Sequence, residues 1–236
     1  MSQLNRKTDV KSNTLTLKKN TYPGKLIVLE GTDGVGRSTQ TLLLQNWLAI
    51  EGYGVVLTGW KSSELISRVI DKAKSKNALN TITFSLLYAT DLADRLHGII
   101  EPALKAGLIV VADRYIYTAL ARDVVRGADP NWVRKLYEYA IEPDLVFYMQ
   151  MPLKPLLKRI ITTRGSLDFY ESGRDIGMST DLYQSFEIYQ AQIMHEYEQM
   201  VAEFNFIPIE ADLEIDEVQK KIRQSIRTLL ETTANT

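Results

Sequence analysis

The chain lacks cysteine, long apolar runs and any marked excess of charge of one sign. Without cysteine it cannot form disulfides or thiolate metal sites, which suits a reducing compartment such as the cytoplasm. No stretch approaches the roughly 18 consecutive apolar residues of a membrane span, and the N-terminus shows no apolar signal-peptide core. A net charge of −1 over 236 residues gives no support for broad binding to nucleic acid or to a membrane surface. We therefore expect a soluble cytoplasmic protein with neither kind of partner.

The composition, 45% hydrophobic and 24% charged, allows one substantial core. Residues 1–24 are polar and aperiodic, which predicts a flexible or loosely docked tail, although a weak alternation at residues 15–17 leaves an edge strand open. Over residues 25–236 strand-like runs alternate with helical patterns, without a linker or repeat, and this predicts one three-layer α/β domain around a parallel sheet. Strands are predicted at 25–30, 54–59, 108–113, 144–150 and 206–209, and helices at about 38–51, 62–75, 80–106, 115–127, 130–141, 153–163, 181–203 and 213–231.

The first strand runs into LEGTDGVGRST, which is nearly the phosphate-binding P-loop pattern G-x-x-x-x-G-K-[ST]. Glycines let successive backbone N–H groups approach an anion, and the N-terminus of the following helix adds its positive dipole end. Ser38 is placed to bind a magnesium ion that bridges the phosphates. The alternative is a tight strand-to-helix turn with no ligand. The predicted nucleotide-binding residues are Gly31, Thr32, Asp33, Gly34, Val35, Gly36, Arg37, Ser38 and Thr39.

Arg37 stands where the pattern has lysine. Its planar fork prefers two oxygens at once, whereas the ammonium group of lysine acts as a compact point charge between phosphates. Three outcomes stay open: a working site, a slow site, or a site that binds nucleotide without catalysis.

A second group of polar residues follows the predicted strand at 108–113. Asp113 can hold magnesium or act as a base, and Arg114 can grip a phosphate at two points. The alternative is a surface ion pair at a strand end. The glycine- and charge-rich stretch at 159–175 predicts a mobile lid at about 164–180, whose arginines would close over a transferring phosphoryl group, unless it is an ordinary solvated loop.

With these motifs in order, the chain resembles the thymidylate kinases, a family of P-loop nucleoside monophosphate kinases. The resemblance covers about residues 25–230 and rests on the P-loop, the helix LLYATDLADR at 86–95 followed by IEPAL at 100–104, the turn DRY at 113–115, the strand entry PDLV at 143–146, and the lid. It implies a five-stranded parallel sheet, a magnesium-bound ATP, transfer of the γ-phosphate to dTMP to give dTDP, and a homodimer.

The resemblance also implies roles for single residues. Asp33 would face the sugar and phosphate of the acceptor, Tyr88 would stack on thymine, and Arg164 or Arg174 of the lid would contact the transferring phosphates. The predicted catalytic residues are Arg37, Asp113, Arg114, Arg164 and Arg174, with Ser38 and Asp113 as metal ligands. The predicted acceptor contacts are Asp33, Lys61, Tyr88, Arg95, Arg114, Thr118, Arg122 and Tyr170.

The acceptor pocket departs from the family pattern. Leu92 stands where the family helix commonly has an arginine that binds the thymine edge; Arg95 could partly replace it or could be a surface ion-pairing residue. Trp60 could form a pocket wall or a packed rim, with Lys61 supplying charge. Arg122 places a charge on the helix that lines the pocket, and this also departs from the family pattern. These changes could shift the acceptor to another nucleotide or a phosphorylated small molecule.

Two classes of function stay open at this point. The first is a nucleoside monophosphate kinase acting on dTMP. The second is a non-catalytic nucleotide-binding regulator on the same scaffold, motivated by Arg37, Leu92 and the basic N-terminal tail.

Overall fold

The computed structural model describes residues 15–75 and 79–234. Its centre is a five-stranded, all-parallel sheet in the order β2-β3-β1-β4-β5. The central strand is buried after its first residue, because helices cover both of its faces and adjacent side chains point to opposite layers. The strands are β1 (Lys25–Gly31), β2 (Val55–Gly59), β3 (Ile109–Asp113), β4 (Leu145–Gln150) and β5 (Ile207–Glu210).

Helices form the two outer layers. The helices α3, α4, α5 and α8 contribute to the apolar core on one face of the sheet, and α1, α7 and α9 to the core on the other. This confirms the predicted three-layer α/β fold. Within the described ranges, no helix combines the length and apolar character needed to cross a membrane. The helices are α1 (Arg37–Ile50), α2 (Ser67–Ser75), α3 (Thr81–Arg95), α4 (Glu101–Lys105), α5 (Ile116–Val125), α6 (Pro130–Leu136), α7 (Leu153–Arg164), α8 (Leu182–Glu203) and α9 (Ile215–Ala234).

The predicted strands agree with the structure to within one residue, but three predicted helices are shortened or interrupted. The helix predicted at 62–75 begins only at Ser67, because Asp91 accepts the backbone N–H groups of Lys61 (3.1 Å) and Ser63 (2.9 Å) and holds a turn there. The helix predicted at 80–106 is interrupted by a π turn at Leu96–Ile100. The helix predicted at 130–141 ends at Leu136, and the chain then runs toward β4.

Residues 15–24 are docked on the domain. Leu15 is buried in the core on the α5 side of the sheet. The Lys18 N–H donates to the Ala140 carbonyl oxygen at 3.0 Å, and the Lys18 carbonyl oxygen accepts from the Glu142 N–H at 2.7 Å. Of the two alternatives predicted for the tail, the structure favours the docked one for residues 15–24, while residues 1–14 lie outside the described part of the chain.

Candidate active site

The loop between β1 and α1 turns sharply at glycines. Gly31 has φ +140°, and a Cβ there would lie 2.6 Å from the Met149 carbonyl oxygen. Gly34 has φ +78°, and a Cβ there would lie 2.4 Å from the Ile160 side chain. Because α1 begins at Arg37, directly after the loop, the unpaired N–H groups of its first turn are available to an anion. This backbone suits the phosphate-binding role predicted for the loop.

Arg37 is folded into the loop instead of extending to solvent. Its Nη1 donates to the carbonyl oxygens of Gly31, at 2.5 Å, and of Thr32, while its Nε donates to Oδ1 of Asp113 at 2.8 Å. The Ser38 hydroxyl donates to Oδ2 of the same carboxylate at 2.7 Å. Arg37 thus braces the loop and occupies a carboxylate that the sequence predicts as a metal ligand.

Two carboxylates of the site are held in their charged form. Burial alone would raise the pKa of Asp33, but the guanidinium groups of Arg114 and Arg37 outweigh it and lower the pKa below its ordinary value. Burial also opposes ionisation of Asp113, and Arg37 together with the Ser38 hydroxyl lowers its pKa in the same way. Both groups therefore carry negative charge at neutral pH.

Arg114 follows β3 in a left-handed backbone conformation, φ +74°, which is uncommon for a residue other than glycine and typical of functional sites. Its Nη2 donates to Oδ1 of Asp33. Since Asp33 belongs to the P-loop, this ion pair joins the loop to the end of the neighbouring strand.

Glu30, for which the sequence predicted no role, fixes the start of α5. Its buried carboxylate accepts the Tyr115 N–H at 2.8 Å, the Thr118 hydroxyl at 2.7 Å and the Tyr197 hydroxyl at 2.8 Å. Burial raises its pKa, and these hydrogen bonds act in the opposite direction. Thr118 lines a small cleft beside Arg114, but its hydroxyl is bonded to Glu30 and Tyr197, so it does not point freely at an acceptor.

Two cavities open near the carboxyl ends of the strands. The larger, about 610 Å³, lies between the P-loop, α7 and the segment after β5. The smaller, about 190 Å³, lies between α3, α5 and the lid. Arg164 lines the larger cavity, and its Nη1 donates at 2.6 Å to Oε2 of Glu171, which lines the smaller. This ion pair therefore connects the two cavities.

Arg159 is a residue of the larger cavity that the sequence did not single out. Its Nη1 donates to the carbonyl oxygens of Val35, at 3.1 Å, and of Ala211, at 3.2 Å. It thereby joins α7 to the P-loop and to the chain after β5. The only signal in the sequence was its place at the beginning of the charged stretch that leads into the lid.

The smaller cavity is lined by aromatic rings and by cationic side chains. It brings together six of the predicted acceptor contacts: Asp33, Lys61, Tyr88, Arg114, Arg122 and Tyr170. Trp60, which lines it as well, donates from its Nε1 to the Tyr115 carbonyl oxygen at 2.7 Å. The sequence did not single out Lys74, Phe84, Arg126, Glu171 or Tyr189, which also line this cavity. Helical spacing could have identified two of these residues. Phe84 precedes Tyr88 by four residues and Arg126 follows Arg122 by four, so each lies on the same helix face as a predicted contact.

Arg95 does not line this cavity. Its side chain is fully buried, its Nε donates to Asp91 at 2.9 Å, and its Nη1 donates to the Thr58 hydroxyl at 3.1 Å. The surface ion-pair interpretation is wrong, and the structure does not support a direct acceptor contact. Asp91 also holds the turn at Lys61 and Ser63, so the pair shapes the wall of the pocket from behind.

The lid is anchored near its middle. Three consecutive carbonyl oxygens are held by side chains from other elements: Tyr170 by Arg126 at 2.8 Å, Glu171 by Gln190 at 2.8 Å and Ser172 by Ser185 at 2.8 Å. Hence mobility of the kind expected for residues 164–180 is restricted in this part.

Arg174 is turned away from both cavities. Its Nη1 donates to the carbonyl oxygens of Ser179, at 3.1 Å, and of Thr180. The positive φ of the flanking Gly173 and Gly177 produces a tight turn around it. The structure does not support the phosphate contact predicted for Arg174, and Arg164 is the lid arginine at the cavities.

Glu171 gives the site a pH dependence near neutrality. Burial, and then the neighbouring Asp33 carboxylate, raise the pKa of Glu171 from 4.5 to about 7, although Arg164 acts in the opposite direction. A carboxyl group whose pKa rises on folding binds more protons in the folded state. The free energy of unfolding therefore falls as pH increases between these two values.

We expect Glu171→Gln to gain stability relative to the wild type as pH is raised from about 5 to about 8, because the variant cannot acquire the buried charge. Thermal denaturation of both proteins across this range measures the difference. Melting temperatures that run parallel in the two proteins would contradict the assigned pKa.

The fold and the site together define a P-loop phosphotransferase fold with two cavities near the carboxyl ends of its strands. A model of the thymidylate kinase family matches residues 29–222. A probable thymidylate kinase 2 of Saccharolobus solfataricus is 43% identical over 202 residues, which cover 85% of this chain and 94% of that protein.

Other relatives agree with this assignment. A probable thymidylate kinase of Thermococcus onnurineus is 40% identical over 57% of this chain and 70% of its own length. A thymidylate kinase of Halothermothrix orenii is 29% identical over 88% of this chain and 98% of its own length. The chain belongs to the thymidylate kinase family.

Proposed function

We propose that this enzyme transfers the γ-phosphate of ATP to dTMP, giving ADP and dTDP. The observation that carries the proposal is the position of Asp113, Arg114 and Arg164 relative to the two cavities. Asp113 bonds to P-loop residues beside the larger cavity, Arg114 lines the smaller, and the ion pair of Arg164 connects them. Phosphoryl transfer is catalysed mainly by positioning and by neutralising charge on phosphate oxygens, and this arrangement supplies both.

Ser38 and Asp113 are the residues that would hold a magnesium ion. Their oxygens lie 2.7 Å apart beside the P-loop, and hard oxygen donors suit this ion. Over the described ranges no group of three or more His, Cys, Asp or Glu side chains forms a metal cluster. That fits an ion that takes its remaining ligands from water and phosphate. A magnesium ion held there would neutralise negative charge on the phosphates.

The other residues of the site divide between the two substrates. The loop N–H groups bind the ATP phosphates, and Arg37 places its charge beside them while it braces the loop. Arg114 binds the phosphate of dTMP, and Arg164 exchanges Glu171 for the transferring phosphoryl group. Asp33 keeps Arg114 oriented before the acceptor arrives. Closure of the lid over the site excludes water, which would otherwise compete as acceptor.

A coupled assay of ADP release tests the proposal directly. Magnesium ATP is supplied with a panel of nucleoside monophosphates, and dTMP is expected to be the best acceptor. No turnover on any member of the panel would reject kinase activity. Turnover restricted to a different acceptor would instead support the alternative of a kinase with a changed substrate.

We further propose that the enzyme is a homodimer that associates through α2 and α3. These helices and the turn before them expose Leu65, Val69, Ile82 and Leu86, whose side chains are 45–69% exposed. Large apolar side chains exposed on two helices that contact each other suit a protein–protein contact.

The double variant Ile82→Glu, Leu86→Glu is expected to elute as a monomer in size-exclusion chromatography with light scattering, because it places charge in the proposed interface. Leu42→Glu, at a comparably exposed leucine of α1, is the matched control and should leave the dimer intact. A monomeric wild type at tens of micromolar would rule the dimer out.

A further inference from the structure

Arg122 lies on an aromatic surface inside the smaller cavity. Its guanidinium carbon is 4.4 Å from the ring centre of Trp60, 4.2 Å from that of Phe84 and 4.1 Å from that of Tyr88. These distances are well within cation–π range for all three rings. The rings come from two separate elements, the turn after β2 and helix α3, so the position of the guanidinium is defined from more than one side.

The hydrogen bonds of Arg122 leave one nitrogen unused. Its Nε and Nη2 both donate to Oδ1 of the buried Asp123, at 3.1 and 3.0 Å. Among the described residues, Nη1 has no hydrogen-bond partner. Since Arg122 lines the cavity and Asp123 holds the Nε–Nη2 side of its fork, Nη1 is the nitrogen whose hydrogens are both left for a bound molecule.

The distance along α5 indicates which part of the acceptor meets this donor. Arg114 lies just before the helix, and the helix rises about 9 Å from Ile116 to Arg122. If the acceptor phosphate is at Arg114, Arg122 lies at the other end of a nucleoside monophosphate. The atoms there belong to the base edge farthest from the sugar, which in a pyrimidine carries the substituent at position 4.

We infer that Arg122 reads the base of the acceptor by donating a hydrogen bond from Nη1 to an oxygen at position 4 of the pyrimidine. This inference rests on the proposed dTMP kinase activity and adds its specificity determinant. Arginine has hydrogen-bond donors and no acceptor. It can therefore donate to the 4-oxo group of thymine or uracil, but it forms no hydrogen bond with the 4-amino group of cytosine, which is also a donor. Arg122 thereby supplies the contact to the base edge that Leu92 cannot supply, because Leu92 is buried in the core with 1% exposure.

Acceptor selectivity of the full-length enzyme tests the inference. The wild type is expected to have kcat/KM values for dTMP and dUMP at least about 10-fold above that for dCMP, because a buried hydrogen-bonding group discriminates strongly. Arg122→Met keeps an apolar stem over the rings but has no donor. It should lower kcat/KM for dTMP and dUMP by about 30-fold and change that for dCMP by less than about 3-fold.

Arg134→Met is the matched control. Arg134 pairs with Glu203 at the surface and lines neither of the two cavities, so its removal should leave the ratio of dTMP to dCMP unchanged. If Arg122 served only to pair with Asp123, Arg122→Met would be less stable but would keep the wild-type ratio. A ratio retained within about 3-fold in Arg122→Met therefore overturns the inference.

A second measurement needs no variant and covers the case in which Arg122→Met does not fold. An analogue of dTMP that lacks the oxygen at position 4 is offered to the wild type, and a loss of about 30-fold is expected. An analogue as good as dTMP, or a wild type that uses dCMP as well as dTMP, overturns the inference. In both cases turnover of dTMP continues, so the kinase proposal stands. Failure of the kinase proposal is distinct, because the wild type would then phosphorylate none of the monophosphates.

Discussion

Arg114→Met is expected to lower kcat/KM for dTMP by about 10³-fold, equal to about 4 kcal/mol of transition-state stabilisation. The guanidinium of Arg114 lines the acceptor cavity and is already paired with Asp33. Removing it takes away the charge that binds the acceptor phosphate and leaves Asp33 to repel that phosphate. Steady-state kinetics with dTMP varied at saturating ATP measures the effect.

We expect Arg114→Met to lower kcat/KM for dTMP much more than kcat/KM for ATP, because Arg114 does not line the larger cavity. Arg134→Met again serves as the control for removal of an arginine. A decrease of less than about 10-fold for Arg114→Met would show that another cation binds the acceptor phosphate, and Lys61 or Lys74 would be the next candidate.

Arg37→Met is the second large expected effect, with kcat lowered by about 10² to 10³-fold. The variant loses the positive charge next to the ATP phosphates and leaves the Gly31 and Thr32 carbonyl oxygens without their donor. Single-turnover transfer, measured with the enzyme in excess over ATP, reports the chemical step. Circular dichroism checks that the loop substitution has not unfolded the protein.

Arg37→Lys is the matched variant, because it keeps the positive charge that Arg37→Met loses. It supplies that charge through lysine, the residue that the P-loop pattern has at this position. We expect it to stay within about 10-fold of the wild type, because positioning and charge are kept. A wild type that binds magnesium ATP without transfer, together with activity in Arg37→Lys, would identify the natural protein as a regulator. Equal rates for Arg37→Met and the wild type would remove Arg37 from catalysis.

The fold could be predicted from the sequence because it depends on local patterns. The buried strands are short apolar runs, and each is followed by a turn and a helical periodicity. The strand ends then brought the P-loop and the pair Asp113–Arg114 to one edge of the sheet, since parallel strands share the position of their carboxyl ends. For these features the order of residues along the chain was sufficient.

The acceptor side could not be predicted in the same way, because it depends on contacts between distant residues. The start of α2 is set by Asp91, which lies 30 residues beyond Lys61. Arg95 has the sequence context of a surface helix residue but packs inward against Thr58. The rings around Arg122 come from residues 34 to 62 positions earlier in the chain. Helical spacing identifies the face of the helix on which each residue lies, but it does not identify the residues that pack against that face.

The three anchored carbonyl oxygens of the lid have a mechanical consequence. With residues 170–172 fixed to α8 and to Arg126 after α5, and with Asp168 and Phe169 hydrogen-bonded to residues 170–174, the short segment at 165–167 is the part that can act as a hinge. Gly165, with φ +73°, ends α7 at the start of this segment. A hinge this short swings through a small arc. Opening the site therefore requires only a small displacement at the end of α7, where Arg164 lies, while residues 170–172 keep their anchoring hydrogen bonds.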